Sequence, residues 1–377
     1  MKKDFYSYFV AIMGIYIIFL ILFFYTLLIL WYRKGWTQAF DNNYELTFDE
    51  FEPLSILIPY RNTTPSFISL LDYFESKKYL NFEVILIDDF SINELQFDKK
   101  YSFPLIKLSL NEANIILNPS KNNKKEAIAL GVVHAKFSYI LCTDNDIIPN
   151  KNWLEGMMYY AQKQNPMFSA GIHRYIPKAS FLNYFLSLEQ DNYTAISCAG
   201  IVQKFPTMCN GANMLFQKEA FESVKGYDGL YHINGGDDML LLHRIQDKFP
   251  DKTYFIKSLG TAVFSEAPKD FKSLFFQRKR WLSKSFDYEN KWVGIQMFIA
   301  LCANVITAIF GVLGFFQPLL FLFVIWKFIV DYTFLVSQES FFKTKKNYIW
   351  FGLSIYIYPY YVLLLSLDFF KSKLFNK

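Results

Sequence analysis

Three acidic pairs stand where strands or turns present them. Asp88-Asp89 follows FEVILI, residues 82–87. Asp144 and Asp146 flank Asn145 directly after SYILC, residues 138–142. Asp237-Asp238 follows Gly235-Gly236 and precedes MLLLHRI. Two carboxylates at i, i+2, where a strand opens into a loop, can approach one cation. Hard cations such as Mg2+ or Mn2+ take oxygen ligands, often one or two carboxylates plus substrate phosphates. Asp and Asn also form turns, but two acidic strand ends in one sheet strengthen the metal reading. Acids at a helix start favour the macrodipole. A carboxylate on a glycine turn can also accept a proton from an attacking hydroxyl. Residues 271–283 (FKSLFFQRKRWLS) place Phe, Leu and Trp on one side and Lys and Arg on the other. That pattern fits an amphipathic helix at a membrane surface. Gln277, Arg280 and Trp281 could also face a bound anion, because Arg matches phosphate bidentately and Trp offers a flat stacking surface.

These residues need a scaffold, and the segment from residue 33 to 291 supplies one. LSILIP (54–59) reads as a buried strand, 67–77 as a helix and FEVILI as a second strand. KKEAIALGVVHAK (124–136) reads as a helix and SYILC as a third strand. Strand–helix alternation predicts an α/β domain with a mostly parallel sheet. Ligands of such sheets sit at the carboxyl ends of the strands, where the first two acidic clusters fall. The chain shows no internal repeat and no low-complexity stretch.

The ends of the chain are of another kind. Hydrophobic residues make up 53% of the 377 and charged residues 19%, too apolar for a disordered or an ordinary soluble chain. Aromatics reach 20%, with 42 Phe, 26 Tyr and 7 Trp, which suits surface against lipid. No charge lies between Asp4 and Arg33, and residues 9–31 are long enough to cross a hydrocarbon core. That run ends in Trp31-Tyr32-Arg33-Lys34, an interface signature unlike a signal-peptide cleavage site. Residues 293–326 carry no charge either, and Gln317-Pro318 interrupts them. Spans are therefore expected over 292–316, 318–336 and 347–367. Lys327 and Asp331, at i, i+4, can neutralise each other on one helix face. Arg33, Lys34, Lys343, Lys345 and Lys346 favour a cytoplasmic middle region, while Lys371, Lys373 and Lys377 pull against four full spans. The net charge of +5 and the absence of a long basic run give no sign of nucleic acid as a partner. Cys142, Cys198, Cys209 and Cys302 have no CxxC or zinc spacing.

The order of these motifs resembles a membrane-bound family 2 glycosyltransferase with a GT-A (nucleotide-diphospho-sugar transferase) fold. The resemblance runs from about Ser55 to Ser285 through SILIPYRN, LIDDFS, KKEAIALGVVHAKFSYILCTDND, GANMLFQKEAFESVKGYDG, GGDDMLLLHRI and QRKRW. The flanking spans and QxxRW are similar to the cellulose, chitin and hyaluronan synthase branch. The resemblance implies that Pro59 and Arg61 lie at the nucleotide-binding edge and that one of Asp88 and Asp89 contacts the nucleoside. It implies Lys124 near the diphosphate, although Asn123 stands where a glycine is usual. Asp144 and Asp146 would hold Mn2+ or Mg2+, with Asp144 also at the donor. Asp238, beside Asp237, would be the catalytic base of an inverting transfer. Gln277, Arg280 and Trp281 would serve the diphosphate and acceptor. A UDP-sugar donor is favoured by resemblance, with a lipid-linked or glycan acceptor.

The expected organisation is an N-terminal anchor (1–32), a cytoplasmic GT-A domain ending in an interfacial helix (33–291) and a C-terminal region of two or three spans (292–377), in a cell (inner) membrane. The short chain and few spans favour single-sugar transfer, or a processive synthase with partner subunits. QRKRW favours a processive enzyme. A transporter rests only on Lys327 with Asp331, and a non-catalytic nucleotide-binding relative is opposed by Asp146, Asp238 and Arg280 together. His134, His173, His232 and His243 show no metal spacing and read as structural or solvent-facing, with His232 near the acceptor side. Asn210–Asn213 are expected in a loop on that side by analogy, and Trp153 and Trp292 in core or interface.

Overall fold

Residues 54–60 are apolar at almost every position, and all seven are buried, which a strand achieves only inside a sheet covered on both faces. The computed structural model describes residues 2–39, 51–77, 80–92, 99–112, 123–284, 290–343 and 347–375. In chain order the first half comprises α1 (Lys2–Gln38), β1 (Leu54–Tyr60), α2 (Pro65–Ser76), β2 (Phe82–Asp88), β3 (Leu105–Ser109), α3 (Lys124–His134), β4 (Tyr139–Cys142), β5 (Ile148–Pro149), α4 (Trp153–Gln164), β6 (Phe168–Ala170) and β7 (His173–Tyr175). Then come α5 (Phe181–Val202), β8 (Met214–Gln217), α6 (Lys218–Ser223), α7 (Asp237–Lys248), β9 (Thr253–Phe255), β10 (Val263–Ser265), α8 (Phe271–Lys284), α9 (Lys291–Leu313), α10 (Phe321–Phe342) and α11 (Tyr348–Phe375). The chain divides into a sheet unit (Gln38–Ala179 and Leu186–Ala267) and a helical unit (Met1–Thr37, Ser180–Phe185 and Pro268–Lys377).

The sheet unit is α/β with a mostly parallel sheet, as the alternation predicts. Its seven strands run in the order β3-β2-β1-β4-β8-β6-β9, and β5-β10-β7 form a second, three-stranded sheet. β1, β2, β3 and β4 are mutually parallel, so their carboxyl ends share one edge. Tyr60 pairs with Asp88, which aligns the ends of β1 and β2. β8 runs antiparallel to β4 with Met214 opposite Cys142, so the loop entering β8 meets the loop leaving β4. The buried Ser55 hydroxyl donates to Glu83 Oε1 at 2.6 Å, and that oxygen also accepts the Lys136 amide at 2.6 Å. A buried carboxylate is thereby hydrogen-bonded rather than orphaned, and it closes the connection from α3 to β4. α2 begins with Pro65 at its first turn and buries Phe67, Leu70, Leu71 and Phe74 at helical spacing. Each such side chain contributes about 1.5–3 kcal/mol on burial. Phe74 lies near Phe82, Phe103 and Trp153, and this aromatic cluster is the centre of the core.

In the helical unit four helices among the described residues are long and apolar enough to cross a membrane: Met13–Gln38, Lys291–Leu313, Pro318–Phe342 and Tyr348–Ser372. These match the spans expected at 9–31, 292–316, 318–336 and 347–367, with shifted ends. α9 stops at Leu313 and the chain restarts at Pro318, which explains why the uncharged stretch is two helices. Ala303, Thr307, Ala308 and Gly311 line the buried side of α9. A Cβ on Gly311 would meet the Tyr360 hydroxyl at 2.2 Å, so the glycine makes room for the Tyr360 side chain between α9 and α11. Lys327 Nζ lies 2.6 Å from Asp331 Oδ2, and the Tyr25 hydroxyl donates to Asp331 Oδ1 at 2.6 Å. The pair is therefore a fastener between α10 and α1, which is the structural reading of the two charges. Trp326 adds an indole donor to Thr26 at 3.0 Å. Lys345, Lys346 and Lys377 lie outside the described residues.

Candidate functional site

The site is built where α3, the turn after β4 and the start of α7 meet at the carboxyl edge of the sheet unit. Lys124, the first residue of α3, extends Nζ to within 2.6 Å of Asp144 Oδ1 and 3.2 Å of Asp237 Oδ2. One ammonium thus joins two of the three acidic motifs, which are 93 positions apart by their numbers (237 − 144). Burial alone would lower the Lys124 pKa, but the Asp144 and Asp237 charges hold it well above the usual lysine value. Lys124 is therefore cationic throughout the neutral range.

The turn after β4 is fixed by its backbone. The Thr143 amide donates to Leu57 O at 3.1 Å and its hydroxyl to Ala212 O at 2.7 Å. Asp144 is half-buried and Asp146 exposed. Crowding by the surrounding protein and the neighbouring Asp144 charge push the Asp146 carboxyl above the usual range. Two like charges held together in this way, with an ammonium drawn to one of them, are what a divalent cation would relieve, so the residues fit Mn2+ or Mg2+. Among the described residues no group of three or more His, Cys, Asp or Glu is arranged to hold a metal ion. Asp144 and Asp146 would therefore supply part of a coordination shell and leave the rest to substrate phosphate and water, as Mg2+-type sites do.

The two acids of the glycine turn are not equivalent. Gly235 and Gly236 both have positive φ, 78° and 72°, and α7 starts directly after them. Asp237 is buried and faces Lys124. Its carbonyl accepts the Tyr227 hydroxyl at 3.1 Å. Asp238 is half-buried; Oδ1 accepts the Met239 amide at 2.8 Å and Oδ2 the Gly211 amide at 3.2 Å. Gly211 lies so close to the charges that a Cβ there would meet Asp237 Oδ2 and Lys124 Nζ, each at 3.1 Å. The 210–213 loop is thus part of the acid cluster. Asn213, fully buried, anchors the loop by donating to Ile172 O and Thr261 O and accepting the Trp153 indole N–H at 3.0 Å. Trp153 is a core residue, as expected.

At the ends of β1 and β2, Asp88 and Asp89 also part company. Asp89 is buried; Oδ1 accepts Arg61 Nη2 at 2.7 Å and Asn123 Nδ2 at 2.9 Å, and Oδ2 accepts the Asn123 amide at 3.3 Å. Arg61 Nε also donates to Asp89 O at 2.6 Å. Asp89 therefore ties β1 to the start of α3, and Asn123, where the family pattern has glycine, adds a side-chain bond to that tie. Asp88 is half-exposed and uses Oδ1 to accept the Ser91 amide at 3.1 Å. Pro59 is buried within β1, opposite Ile87.

Sequence reasoning missed Lys125, which is 2% exposed and donates to Ile233 O and Gly235 O, the latter at 3.1 Å. It missed Tyr227 as well and named Asn213 only as part of the 210–213 loop, since neither residue type signals its partners in advance. The cysteines offer no nucleophile here. Burial raises the Cys142 thiol, and burial with the Asp238 charge raises Cys209, so both stay protonated. His173 bonds Ser265 and Gln190, His243 bonds Pro206 O and His134 bonds Leu130 O, which are structural roles; His232 is exposed.

Gln277, Arg280 and Trp281 lie on α8 in the helical unit. There Arg278, absent from the candidates, is buried, donates to Gln277 Oε1 at 2.7 Å and stacks 4.2 Å from the Trp281 ring centre. Arg280 is exposed, and Phe271 and Phe276 are exposed on the same helix.

Residues 55–225 match the glycosyl transferase family 2 model. A segment of 140 residues is 23% identical to glycosyltransferase GlyG of Streptococcus pneumoniae serotype 4, covering 37% of this chain and 45% of that protein. The match therefore spans less than half of that relative's length. The mannosyltransferase PcManGT from Pyrobaculum calidifontis, solved in complex with GDP-Man and Mn2+, superposes with a TM-score of 0.51 at 14% identity, over 94% of this chain and 96% of that one. The fold is accordingly GT-A-like, with apolar helices towards both termini.

Proposed function

We propose that this protein is a membrane-bound, inverting glycosyltransferase that moves a sugar from a nucleotide-diphospho-sugar to a hydroxyl of a lipid-linked or glycan acceptor. The observation that carries the reading is the convergence of Lys124, Asp144 and Asp237 at one point beside Asp238, on the edge where parallel sheets bind ligands. Asp238 serves as general base. Its two amide bonds aim the carboxylate, and its half-exposure leaves it reachable by an acceptor. It takes the proton of the acceptor hydroxyl as that oxygen bonds to the anomeric carbon. The bond from that carbon to the diphosphate oxygen breaks, and the nucleoside diphosphate leaves with the electron pair. Attack from the face opposite the leaving group inverts the anomeric centre.

Lys124 contributes a cation at the position where the diphosphate charge grows. A divalent ion held by Asp144 and Asp146 would supply Lewis-acid neutralisation of the same charge. Asp88, half-exposed at the end of β2, is the better of its pair for a nucleoside, because Asp89 is occupied by Arg61 and Asn123. The resemblance favours a UDP-sugar, and the GDP-Man and Mn2+ of the Pyrobaculum structure put GDP-sugars and Mn2+ in the test. The four apolar helices support a membrane protein, and we assign the catalytic domain to the cytoplasmic side of a cell membrane, where nucleotide sugars are made.

The test is nucleotide release by the detergent-purified protein with Mn2+ or Mg2+ across UDP-, GDP- and dTDP-sugars, with membrane extract as acceptor source. Metal-dependent release from one donor, lost in Asp238→Asn, is expected. Equal release by that variant would remove Asp238 from the chemistry. The length of the product separates single transfer from a processive synthase.

A further inference from the structure

We infer that Lys125 is a positioning residue for the Asp237-Asp238 turn, holding the carboxylate of Asp238 in its working place from a neighbouring helix. This inference rests on the transferase reading only for its catalytic consequence. Residues 124 and 125 are adjacent lysines in the first turn of α3, and they serve the same acidic motif in two ways. Lys124 meets carboxylate side chains. Lys125 reaches the main chain of the turn, donating to Ile233 O and to Gly235 O at 3.1 Å.

A turn of this composition needs an outside support. Gly235 and Gly236 both adopt positive φ, and glycine populates several other backbone wells as readily. The Gly-Gly sequence therefore permits the conformation without enforcing it. An ammonium that is 2% exposed is costly to bury unless polar groups surround it. Here the carbonyls of the turn are those groups, so the cost of burying the charge becomes a restraint on the turn. The restraint acts two residues before Asp237, where α7 begins. Tyr227, fully buried, holds the Asp237 carbonyl from another side, and the Ile233 amide donates to Leu230 O at 3.1 Å, so the share that falls to Lys125 is the two carbonyls of Ile233 and Gly235. With a methionine at 125 the carbonyls of Ile233 and Gly235 lose their donor, turn towards water and release the acid pair.

The test uses the full chain in detergent, with Lys125→Met beside wild type. Hydrogen exchange, UDP or GDP binding with Mn2+, and nucleotide release from UDP-glucose and GDP-mannose are read together. The expected result is faster exchange over residues 233–240 with the strands unchanged, binding within about twofold of wild type, and kcat down roughly 10²-fold, the scale of a misplaced catalytic group. Unchanged exchange in 233–240, or unchanged kcat, overturns the inference. So does a parallel loss of binding and of protection throughout the sheet, which would make Lys125 a general stability residue. If Lys125→Met does not fold, Lys125→Gln, whose shorter, uncharged stem takes the ammonium away from both carbonyls, is read by the same criteria. Wild-type silence with every donor would sink the transferase reading, while the exchange pattern would still decide whether Lys125 holds the turn.

Discussion

Lys124 of the sheet unit and Lys327 of the helical unit meet carboxylates to opposite ends. In the sheet unit Lys124 faces more carboxylate than it can neutralise. Asp144 and Asp237 are in contact with it and Asp146 stands two residues from Asp144, while the Lys124 and Asp144 side chains remain 19% and 36% exposed. In the helical unit Lys327 and Asp331 balance one to one, with side chains 0% and 15% exposed, and the Tyr25 hydroxyl takes the second carboxylate oxygen. An unbalanced cluster open to solvent attracts further charge and works as a binding site. A balanced, enclosed pair works as a fastener, because any change of partner would strand a charge. The same lysine chemistry thus serves an open cluster at Lys124 and a closed fastener at Lys327.

The largest effect expected on this view is at Asp238. Asp238→Asn should lower turnover by about 10²–10⁴-fold, the usual contribution of a general base, with UDP or GDP binding intact. Steady-state release assays and calorimetric nucleotide titration read the two quantities separately. Next comes the fastener. Asp331→Asn leaves Lys327 uncompensated and should cost on the order of 3 kcal/mol. The double change Lys327→Met with Asp331→Leu should recover most of that, as thermal unfolding in detergent would report. A double variant as unstable as the single one would break the comparison, since it would give the pair a role beyond mutual neutralisation.

Arg280 tests whether the helical unit is only a holder. If QxxRW has the role that its motif implies, Arg280→Ala lowers turnover by roughly 10²-fold, the scale of a lost charge-stabilising donor. Unchanged turnover would leave α8 a surface helix. The smallest effect concerns Asp146, exposed at its surface yet crowded by the surrounding protein, whose carboxyl lies above the usual range through that crowding and the Asp144 charge. Folding therefore favours its protonated form, and the stability this gives is present at low pH and lost as pH rises through the raised value. Asp146→Asn should stabilise metal-free protein at pH 7 by about 0.5 kcal/mol, read as a raised unfolding midpoint and kept small by solvent screening. With Mn2+ added the sign should reverse, because only wild type gains from the ion.

Much of the scaffold was legible in the sequence. β1, β2, α3 and β4 fall within a residue or two of the stretches read from apolar strings and helical spacing, because those strings are long enough to carry a period. The membrane-length helices were legible for the same reason, down to the break at Pro318. β5, β6, β7, β9 and β10 were not, since two or three residues show no alternation; they exist through their neighbours' hydrogen bonds.

The candidate site divides along the same line. By itself the sequence determined which residues could do chemistry: acids at strand ends, a lysine at a helix start, a glycine turn before two aspartates. Tertiary structure alone decided how they share the work. It turned Asp89 inward to Arg61 and Asn123 and left Asp88 outward. It set β8 antiparallel to β4, which delivered Gly211 to the acids. It sent Lys124 and Lys125, neighbours in the chain, to the side chains and the backbone of one distant turn. Periodicity is local and survives in any short stretch of chain. The partner of a buried charge is fixed only when separate segments of the chain are packed together, here as far apart as Lys124 and Asp237, because its energy depends on what surrounds it rather than on what precedes it.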